Sequence, residues 1–187
     1  MATSTTDAQR RLFAGAMDLL AVEGFGSLKV RRLCQHIGVT TGAFYHSFDS
    51  WQDFTALFLE DWHRERTLRI VELVAVEADP RQRIELLLQT GASLPHAAEA
   101  AIRVWAGVDP EVRKLQSQVD HERVAAVTAA FLAYVGDPDE AEALARAAFY
   151  AVIGYEQSEG QRDPVAFERI LRLVQASADE LVASRST

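Results

Sequence analysis

Residues 27–48 constrain the fold more than any other part of the chain. Their first half repeats apolar side chains at the spacing of one helical face: Val30, Leu33, Cys34 and Ile37. Gly38 follows where a left-handed, helix-ending residue is expected, and Thr40 occupies the N-cap position of a second helix. Phe44 and Phe48 give that second helix a buried side. Two helices joined by a short, glycine-containing turn predict a helix-turn-helix.

The prolines predict that the rest of the chain is also helical. Four Asp-Pro pairs each place an N-capping aspartate before a proline at the first helical position: Asp79-Pro80, Asp109-Pro110, Asp137-Pro138 and Asp163-Pro164. Pro95 is expected to open a further helix. No segment shows the alternating pattern of a strand between turns. The sequence therefore predicts an all-α fold of about nine helices.

Capping residues and apolar periodicity give approximate helix boundaries. We expect Ser27 to cap the second helix and Ser50 to begin a long helix that buries Leu73, among other residues. The expected helices beyond the helix-turn-helix cover residues 7–23, 51–76, 80–93, 95–106, 110–135, 138–158 and 164–183. We divide the chain into a helix-turn-helix DNA-binding domain, residues 1–50, and a larger helical domain, residues 51–187.

The charge distribution favours contact with DNA through one face only. Residues 1–50 hold five Lys or Arg side chains against four acids, whereas residues 51–187 hold 14 against 23. The acidic second part would repel DNA. No apolar run is long enough for a membrane span, and the N-terminus lacks the pattern of a signal peptide. A single cysteine, Cys34, agrees with a reducing compartment, so we expect a cytoplasmic protein.

The sequence does not predict an enzyme. It contains no nucleophile elbow, no Walker A loop and no paired-histidine zinc motif. Its five histidines are scattered, and one cysteine cannot build a thiolate zinc site. We therefore expect neither a cofactor nor a metal.

Residues 25–48, and particularly the run from Gly38 to Phe48, resemble the DNA-binding domain of the tetracycline-repressor (TetR) family of bacterial transcriptional regulators. The resemblance depends on the spacing of Gly38, Gly42, Tyr45 and Phe48, with apolar residues upstream. It implies a homodimer that binds a double-stranded DNA operator. It also implies that a small-molecule effector, bound in the C-terminal domain, releases the operator.

Two positions depart from the family pattern. The family often has a lysine three residues after the position of Phe48, where it contacts phosphate, but this chain has Trp51. Asp49 and Asp53 flank that tryptophan, so we expect it to pack rather than to contact phosphate. Leu28 replaces a common threonine and is likewise expected to pack.

The candidate DNA contacts fall into two groups. Thr40, Thr41 and Gly42 begin the second helix, whose N-terminal residues meet base edges in a helix-turn-helix. The absence of a side chain at Gly42 would let the helix backbone come close to DNA. The candidates for phosphate contacts are Tyr45, His46, Arg10 and Lys29, the last expected in the first turn of the preceding helix. We expect Arg31 and Arg32 to be solvated or salt-bridged, and Cys34 to be a core residue.

The candidate ligand and dimer sites lie in the second domain. Aromatic or polar groups on otherwise apolar faces suggest a ligand pocket lined by Trp62, Trp105, His121 and Tyr150. The last two helices carry small or apolar residues suited to a dimer interface at Ala147, Ala151, Leu171 and Val174. The same helices could instead complete the core of one protomer.

These patterns favour a one-component transcriptional repressor. Two alternatives stay open at this point. One is an all-α small-molecule-binding protein or enzyme whose N-terminal helices only pack. The other is a DNA-binding activator with the same fold.

Overall fold

A computed structural model describes residues 6–185, and this part of the chain is all-helical, with nine helices and no strand. The fourth helix contains a π-helical turn, Arg64–Leu68, and a short 3-10 turn, Phe25–Ser27, follows the first helix. The helices are α1 (Asp7–Glu23), α2 (Val30–Ile37), α3 (Thr41–Ser47), α4 (Trp51–His63, continued after the π-helical turn as Arg69–Ala75), α5 (Pro80–Ala92), α6 (His96–Val108), α7 (Pro110–Val135), α8 (Pro138–Gln157) and α9 (Pro164–Arg185).

The described chain forms two compact units. The first extends to Arg64 and includes Pro95–Gln116, and the second comprises Glu65–Leu94 together with the chain from Ser117 onwards. Helix α6 therefore belongs to the same compact unit as the helix-turn-helix, and α1 packs against α6. The division at residue 50 stays a prediction about function. No helix in residues 6–185 is both long and apolar enough to cross a membrane.

Aromatic side chains form the core of the first unit around the helix-turn-helix. Phe44 and Phe54 are fully buried, with their ring centroids 5.3 Å apart. Phe48 lies 5.0 Å from Phe54, and Phe13 of α1 lies 5.7 Å from Phe48. Trp51 stacks on Phe54 at 5.1 Å. We call Phe13, Phe44, Phe48, Trp51, Phe54 and Phe58 the aromatic cluster; it joins α1, α3 and α4 into one core.

A glycine allows α1 to approach α2 closely. A Cβ atom built on Gly15 would lie 2.1 Å from Cγ2 of Ile37, which is far inside van der Waals contact. Any larger residue at this position would therefore push the two helices apart.

The second unit has a separate aliphatic core, to which α5, α7, α8 and α9 contribute. Ile84, Phe131, Ala145 and Leu171 are among its most buried members. Tyr155 stacks on Phe167 at its edge, with ring centroids 4.2 Å apart. The apolar stripe of α9 therefore completes the core of its own protomer, which was one of the two roles that the sequence allowed.

The Asp-Pro pairs cap their helices as expected. Asp79 accepts a hydrogen bond from Gln82 N, and Asp137 accepts from the backbone N–H groups of Asp139 and Glu140. Asp109 and Asp163 accept equivalent bonds at the starts of α7 and α9. Each aspartate satisfies N–H groups that have no partner within the helix.

Two local predictions were wrong. Ser27 does not cap α2: its hydroxyl donates to Gly24 O at 2.8 Å, and Lys29 is the N-cap residue. Leu73 is 63% exposed, whereas its neighbour Val74 is buried. The π-helical turn precedes Leu73, and such a turn shifts the helical register relative to a regular α-helix.

A carboxylate links three helices of the second unit. Arg81 of α5 donates from Nε and Nη2 to the two carboxylate oxygens of Asp179 in α9, both at 2.9 Å. The Tyr134 hydroxyl of α7 donates to the same carboxylate at 2.7 Å. The hydrogen bonds from Arg81, followed by the one from Tyr134, lower the pKa of Asp179 despite its partial burial.

This lowered pKa predicts a pH-dependent contribution to stability. A carboxyl group whose pKa is lower in the folded than in the unfolded state stabilises the fold above its unfolded pKa. That contribution is lost as the pH falls through the folded value. Asp179→Asn should therefore unfold at lower urea concentration than the unsubstituted protein at neutral pH, and the difference should shrink towards about pH 3.

Urea unfolding measured across this pH range tests the expectation. Glu142→Gln is a suitable control, because it removes only an exposed pair with Arg146 on α8. If the effect of Asp179→Asn were the same at every pH, the ionised carboxylate would not be its source.

Candidate nucleic-acid interface

The turn between α2 and α3 has the geometry that the sequence predicts. Gly38 adopts the left-handed conformation, with φ 72° and ψ 38°, and its N–H donates to Cys34 O. The N–H of Val39 donates to the same carbonyl at 2.9 Å. Thr40 then adopts extended backbone angles, and its Oγ1 accepts from Ala43 N at 3.1 Å. One short turn thus ends α2 and begins α3.

Helix α3 contains buried residues that pack on the core and exposed residues that are the candidate DNA contacts. Phe44 and Phe48 are buried in the aromatic cluster. Five other residues of this segment are exposed: Thr40, Thr41, Gly42, Tyr45 and His46. Tyr45 is 55% exposed, so its hydroxyl can reach a partner outside the protein. All five predicted contacts on this helix are therefore accessible.

The two predicted cationic contacts outside α3 differ in their surroundings. Lys29 is exposed as the N-cap residue of α2, one position before the first turn in which we expected it. Arg10 is exposed on α1 and pairs with Asp7, which offsets part of its charge. Lys29 is therefore the stronger candidate for a phosphate contact.

The other arginines of this region form contacts within the protein or face solvent. Arg32 forms a bidentate pair with Glu23; its hydrogen bond lowers the pKa of the carboxyl group, and that of Glu23 raises the pKa of the guanidinium. Arg11 donates to Ile37 O at 3.3 Å. Arg31 is exposed. Arg32 is therefore salt-bridged, as expected, whereas the absence of a DNA contact at Arg31 stays a prediction.

Trp51 and Cys34 both act as packing residues. Trp51 stacks on Phe44 and Phe54 at the start of α4, where the family often has a lysine. The expectation that it packs is therefore confirmed. Cys34 is 2% exposed, and its burial raises the pKa of the thiol, which disfavours the reactive thiolate.

The four predicted pocket residues divide between the two units. Trp62 and Trp105 are buried in the first unit. The indole N–H of Trp62 donates to the carboxylate of Glu99 at 2.8 Å, and Trp105 stacks on Phe25. His121 and Tyr150 are exposed residues of the second unit. No sequence pattern indicates the role of Glu99, because a glutamate in a helix ordinarily faces solvent.

Two cavities of the second unit are lined by other residues. A groove of about 600 Å³ lies between α5 and α9 and is lined by Glu85, Leu88, Gln89, Ala92, Ser93, Glu168, Leu171, Arg172 and Gln175. A smaller pocket of about 130 Å³ lies among α4, α5 and α7. Its lining is apolar apart from Arg83, whose Nε donates to Glu77 O.

The predicted dimer residues also divide into two kinds. Ala147 is exposed and Ala151 is partly buried on α8. Leu171 and Val174 are 3% and 9% exposed within the core of a single protomer. These leucine and valine side chains are therefore covered within the chain itself, whereas Ala147 is accessible.

In the first unit, α2 and α3 form a helix-turn-helix. Residues 12–55 match the model of the bacterial regulatory proteins of the tetR family. These residues thus form a TetR-family DNA-binding domain, and the resemblance noted in the sequence is confirmed.

Solved structures share the fold over nearly the whole chain. A transcriptional regulator from Rhodococcus sp. Rha1 has 20% identity and a TM-score of 0.71, covering 92% of this chain and 96% of that one. A regulator from Saccharomonospora viridis in complex with choline has 15% identity and a TM-score of 0.71, covering 89% and 94%. A TetR regulator from Haloarcula marismortui has 19% identity and a TM-score of 0.68, covering 95% and 97%. No curated protein matches the sequence significantly.

Gly42 offers a test of how closely DNA approaches α3. A Cβ atom at this position would meet only Thr40 Oγ1, at 3.7 Å, so the fold itself does not require glycine there. Gly42→Ala should raise the free energy of unfolding by up to about 1 kcal/mol through helix propensity. It should nevertheless weaken DNA binding, because the added methyl group would lie between the helix backbone and the DNA.

Gly107→Ala provides the matched control. It adds a methyl group to a helical glycine of α6 that also has open space around it. Urea unfolding and fluorescence anisotropy with labelled DNA would compare the two variants. If Gly42→Ala bound DNA as tightly as Gly107→Ala, the DNA backbone would not approach α3 at Gly42.

Proposed function

We propose that this protein is a cytoplasmic, one-component transcriptional repressor that binds a palindromic operator as a homodimer and is released by a small-molecule effector. The observation that carries the proposal is the exposed polar face of α3 on a TetR-family scaffold. Thr41 and Gly42 begin that helix at the end that reads base edges. Tyr45, His46 and Lys29 donate to phosphates and fix the register of the helix on DNA.

A homodimer is supported by exposed apolar residues on the last two helices. On α8 these are spaced at one helical face: Ala143, Ala147, Tyr150 and Gly154. On α9, Ile170 and Leu173 are 47% and 59% exposed. Exposed apolar surface beyond scattered single residues is typical of an interface. We therefore assign Ala147 to the dimer contact, and Tyr150 fits this surface better than a ligand pocket.

Dimerisation would set the distance between the two recognition helices. They must lie one DNA turn apart, about 34–36 Å, or a multiple of it, to enter major grooves on one side of the duplex. An effector that binds better to another arrangement of the protomers would weaken operator binding. A coupling of about 1–3 kcal/mol, or about 5- to 150-fold in affinity, is usual for such switches.

For the effector we favour a small cation, recognised near Trp62. The buried indole of Trp62 donates to a carboxyl oxygen of Glu99, so an aromatic ring and an acidic side chain lie together, and this composition suits quaternary amines. The Saccharomonospora viridis regulator, which has a similar fold, was solved with choline. Trp105, which is also buried in the first unit, stays a candidate pocket residue, whereas His121 is exposed in the second unit and is not part of this site.

The rival functions are less well supported. An all-α binding protein or enzyme without specific DNA binding would not need the exposed face of α3. An activator with the same fold differs only in the position of its operator relative to the promoter. Binding to the DNA upstream of its own gene, followed by a reporter assay in cells, distinguishes all three.

Substituting Lys29 tests the phosphate contact. Lys29→Ala should weaken binding to every DNA sequence by the same factor. It should also flatten the plot of log affinity against log salt by about 0.9 for each phosphate that is no longer neutralised, hence by about twice that in a dimer. Thr41→Ala should instead change the preference among operator variants. An unchanged salt slope for Lys29→Ala would exclude the contact, and uniform weakening by Thr41→Ala would argue against base reading.

A charge on the outer face of α8 tests the dimer. Ala147→Glu should produce monomers in sedimentation experiments and lose operator affinity, because a carboxylate would be buried without a partner. Gln161→Glu, which adds the same charge in the exposed loop after α8, should leave both properties unchanged. A fully dimeric Ala147→Glu protein would rule out this interface.

A further inference from the structure

One side chain of α1 connects the beginning of that helix to the end of the recognition helix. Oε1 of Gln9 accepts from the backbone N–H of Thr6 at 2.9 Å and from its hydroxyl at 3.2 Å. Nε2 of the same amide donates to Ser47 O at 3.2 Å, across 38 positions of the chain. The orientation of the amide follows from chemistry: a backbone N–H only donates and a carbonyl oxygen only accepts.

The hydrogen bond to Ser47 O provides a donor for a carbonyl at the C-terminal end of α3. Ser47 is the last residue of this helix, which has only seven residues, and terminal carbonyls have no N–H donor within their own helix. So short a helix is marginal without external support. Phe44 and Phe48 anchor it by burial, but burial has no direction, whereas a hydrogen bond also constrains orientation.

A second side chain of α1 makes the same kind of hydrogen bond to the end of α2. Nη2 of Arg11 donates to Ile37 O, the carbonyl of the last residue of α2. Two side chains of α1, two residues apart, therefore hold the C-terminal ends of both helices of the helix-turn-helix.

We propose that Gln9 is a positioning residue for DNA recognition, one that holds α3 in register through Ser47 without touching DNA. The proposal depends on the DNA-binding function proposed above. From the sequence, Gln9 would be assigned only to the capping box that begins α1, and it does complete that box with Thr6. The hydrogen bond from its amide nitrogen to Ser47 O is a second role, which the capping-box pattern does not include.

The two roles of Gln9 can be separated by one substitution. In Gln9→Glu the carboxylate still accepts from Thr6 N–H and suits the positive end of the α1 dipole. It cannot donate to Ser47 O, however, and would repel that oxygen. Thr6→Ala makes the converse change, because it removes the hydroxyl half of the capping box and leaves the amide of Gln9 able to donate to Ser47.

The added charge in Gln9→Glu requires a control of its own. Ala8→Glu places the same charge on the neighbouring exposed residue of the first turn of α1. A loss of affinity due only to repulsion by DNA phosphates should disappear as salt is raised, whereas a loss due to a displaced helix should persist.

The experiment uses the full chain and its upstream operator DNA. Urea unfolding gives stability, fluorescence anisotropy at low and high salt gives affinity, and hydrogen exchange of the α3 amides in the free protein reports directly on how firmly α3 is held. Gln9→Glu should unfold at nearly the same urea concentration as the unsubstituted protein. It should also bind the operator about 3- to 10-fold more weakly at both salt concentrations and exchange its α3 amides faster.

The controls define what would overturn the proposal. Thr6→Ala should lose stability and retain its operator affinity, and Ala8→Glu should recover normal affinity at high salt. If Gln9→Glu matched Ala8→Glu in affinity at both salt concentrations and in the exchange of α3, Gln9 would not be a positioning residue. If the unsubstituted protein showed no sequence-specific DNA binding, the proposed function would fail instead. Hydrogen exchange would still decide whether Gln9 holds α3.

Discussion

The packing of aromatic rings in the aromatic cluster is the interaction on which the DNA-binding unit depends. α2 and α3 have eight and seven residues, too few to persist as helices without a core to pack on. Phe44 and Phe48 supply the α3 side of that core, and Phe13, Phe54 and Phe58 supply the rest. Burial of several large rings compensates for the low intrinsic stability of a helix that begins with Thr and Gly.

This reliance on packing leaves the surface of α3 free for recognition. The residues that hold the helix lie on one side, and those that face outward are small or polar. At Trp51 an aromatic residue replaces the lysine that the family often has, so the start of α4 contributes to the core rather than to the charge. The cation that we propose for phosphate contact is instead Lys29, which is exposed at the N-cap of α2.

Local chemistry made much of this fold predictable from the sequence. Helix α1 and helix α7 have the predicted boundaries, because Gly24 and the Asp109-Pro110 pair are strong local signals. The exposed face of α3 followed from the spacing of Phe44 and Phe48. Contacts between distant segments could not be predicted, since no local pattern encodes them. Arg81 pairs with Asp179 across 98 positions, and Gln9 bonds to Ser47 across 38.

The apolar periodicity of α9 was also ambiguous, because one apolar stripe could pack either on the core of the same chain or on a second copy. Leu171 and Val174 repeat at helical spacing whether they complete their own core or meet a second copy. The structure assigns them to the protomer core. The dimer contact proposed for the outward-facing residues of α8 and α9 is based on surface exposure, which the sequence alone does not give.

The π-helical turn Arg64–Leu68 has a consequence for how this chain can change by insertion or deletion. The guanidinium of Arg123 donates to Thr67 Oγ1 and Arg66 O, so the widened turn has its own side-chain partner. A turn of this kind accommodates one residue more than an α-helical turn, and one residue corresponds to about 100° of rotation. Loss of a single codon here would therefore convert the π-helical turn into an ordinary α-helical turn, whereas the same loss elsewhere in the helix would rotate the segment that follows. Val74 would keep its buried position in the first case and leave it in the second.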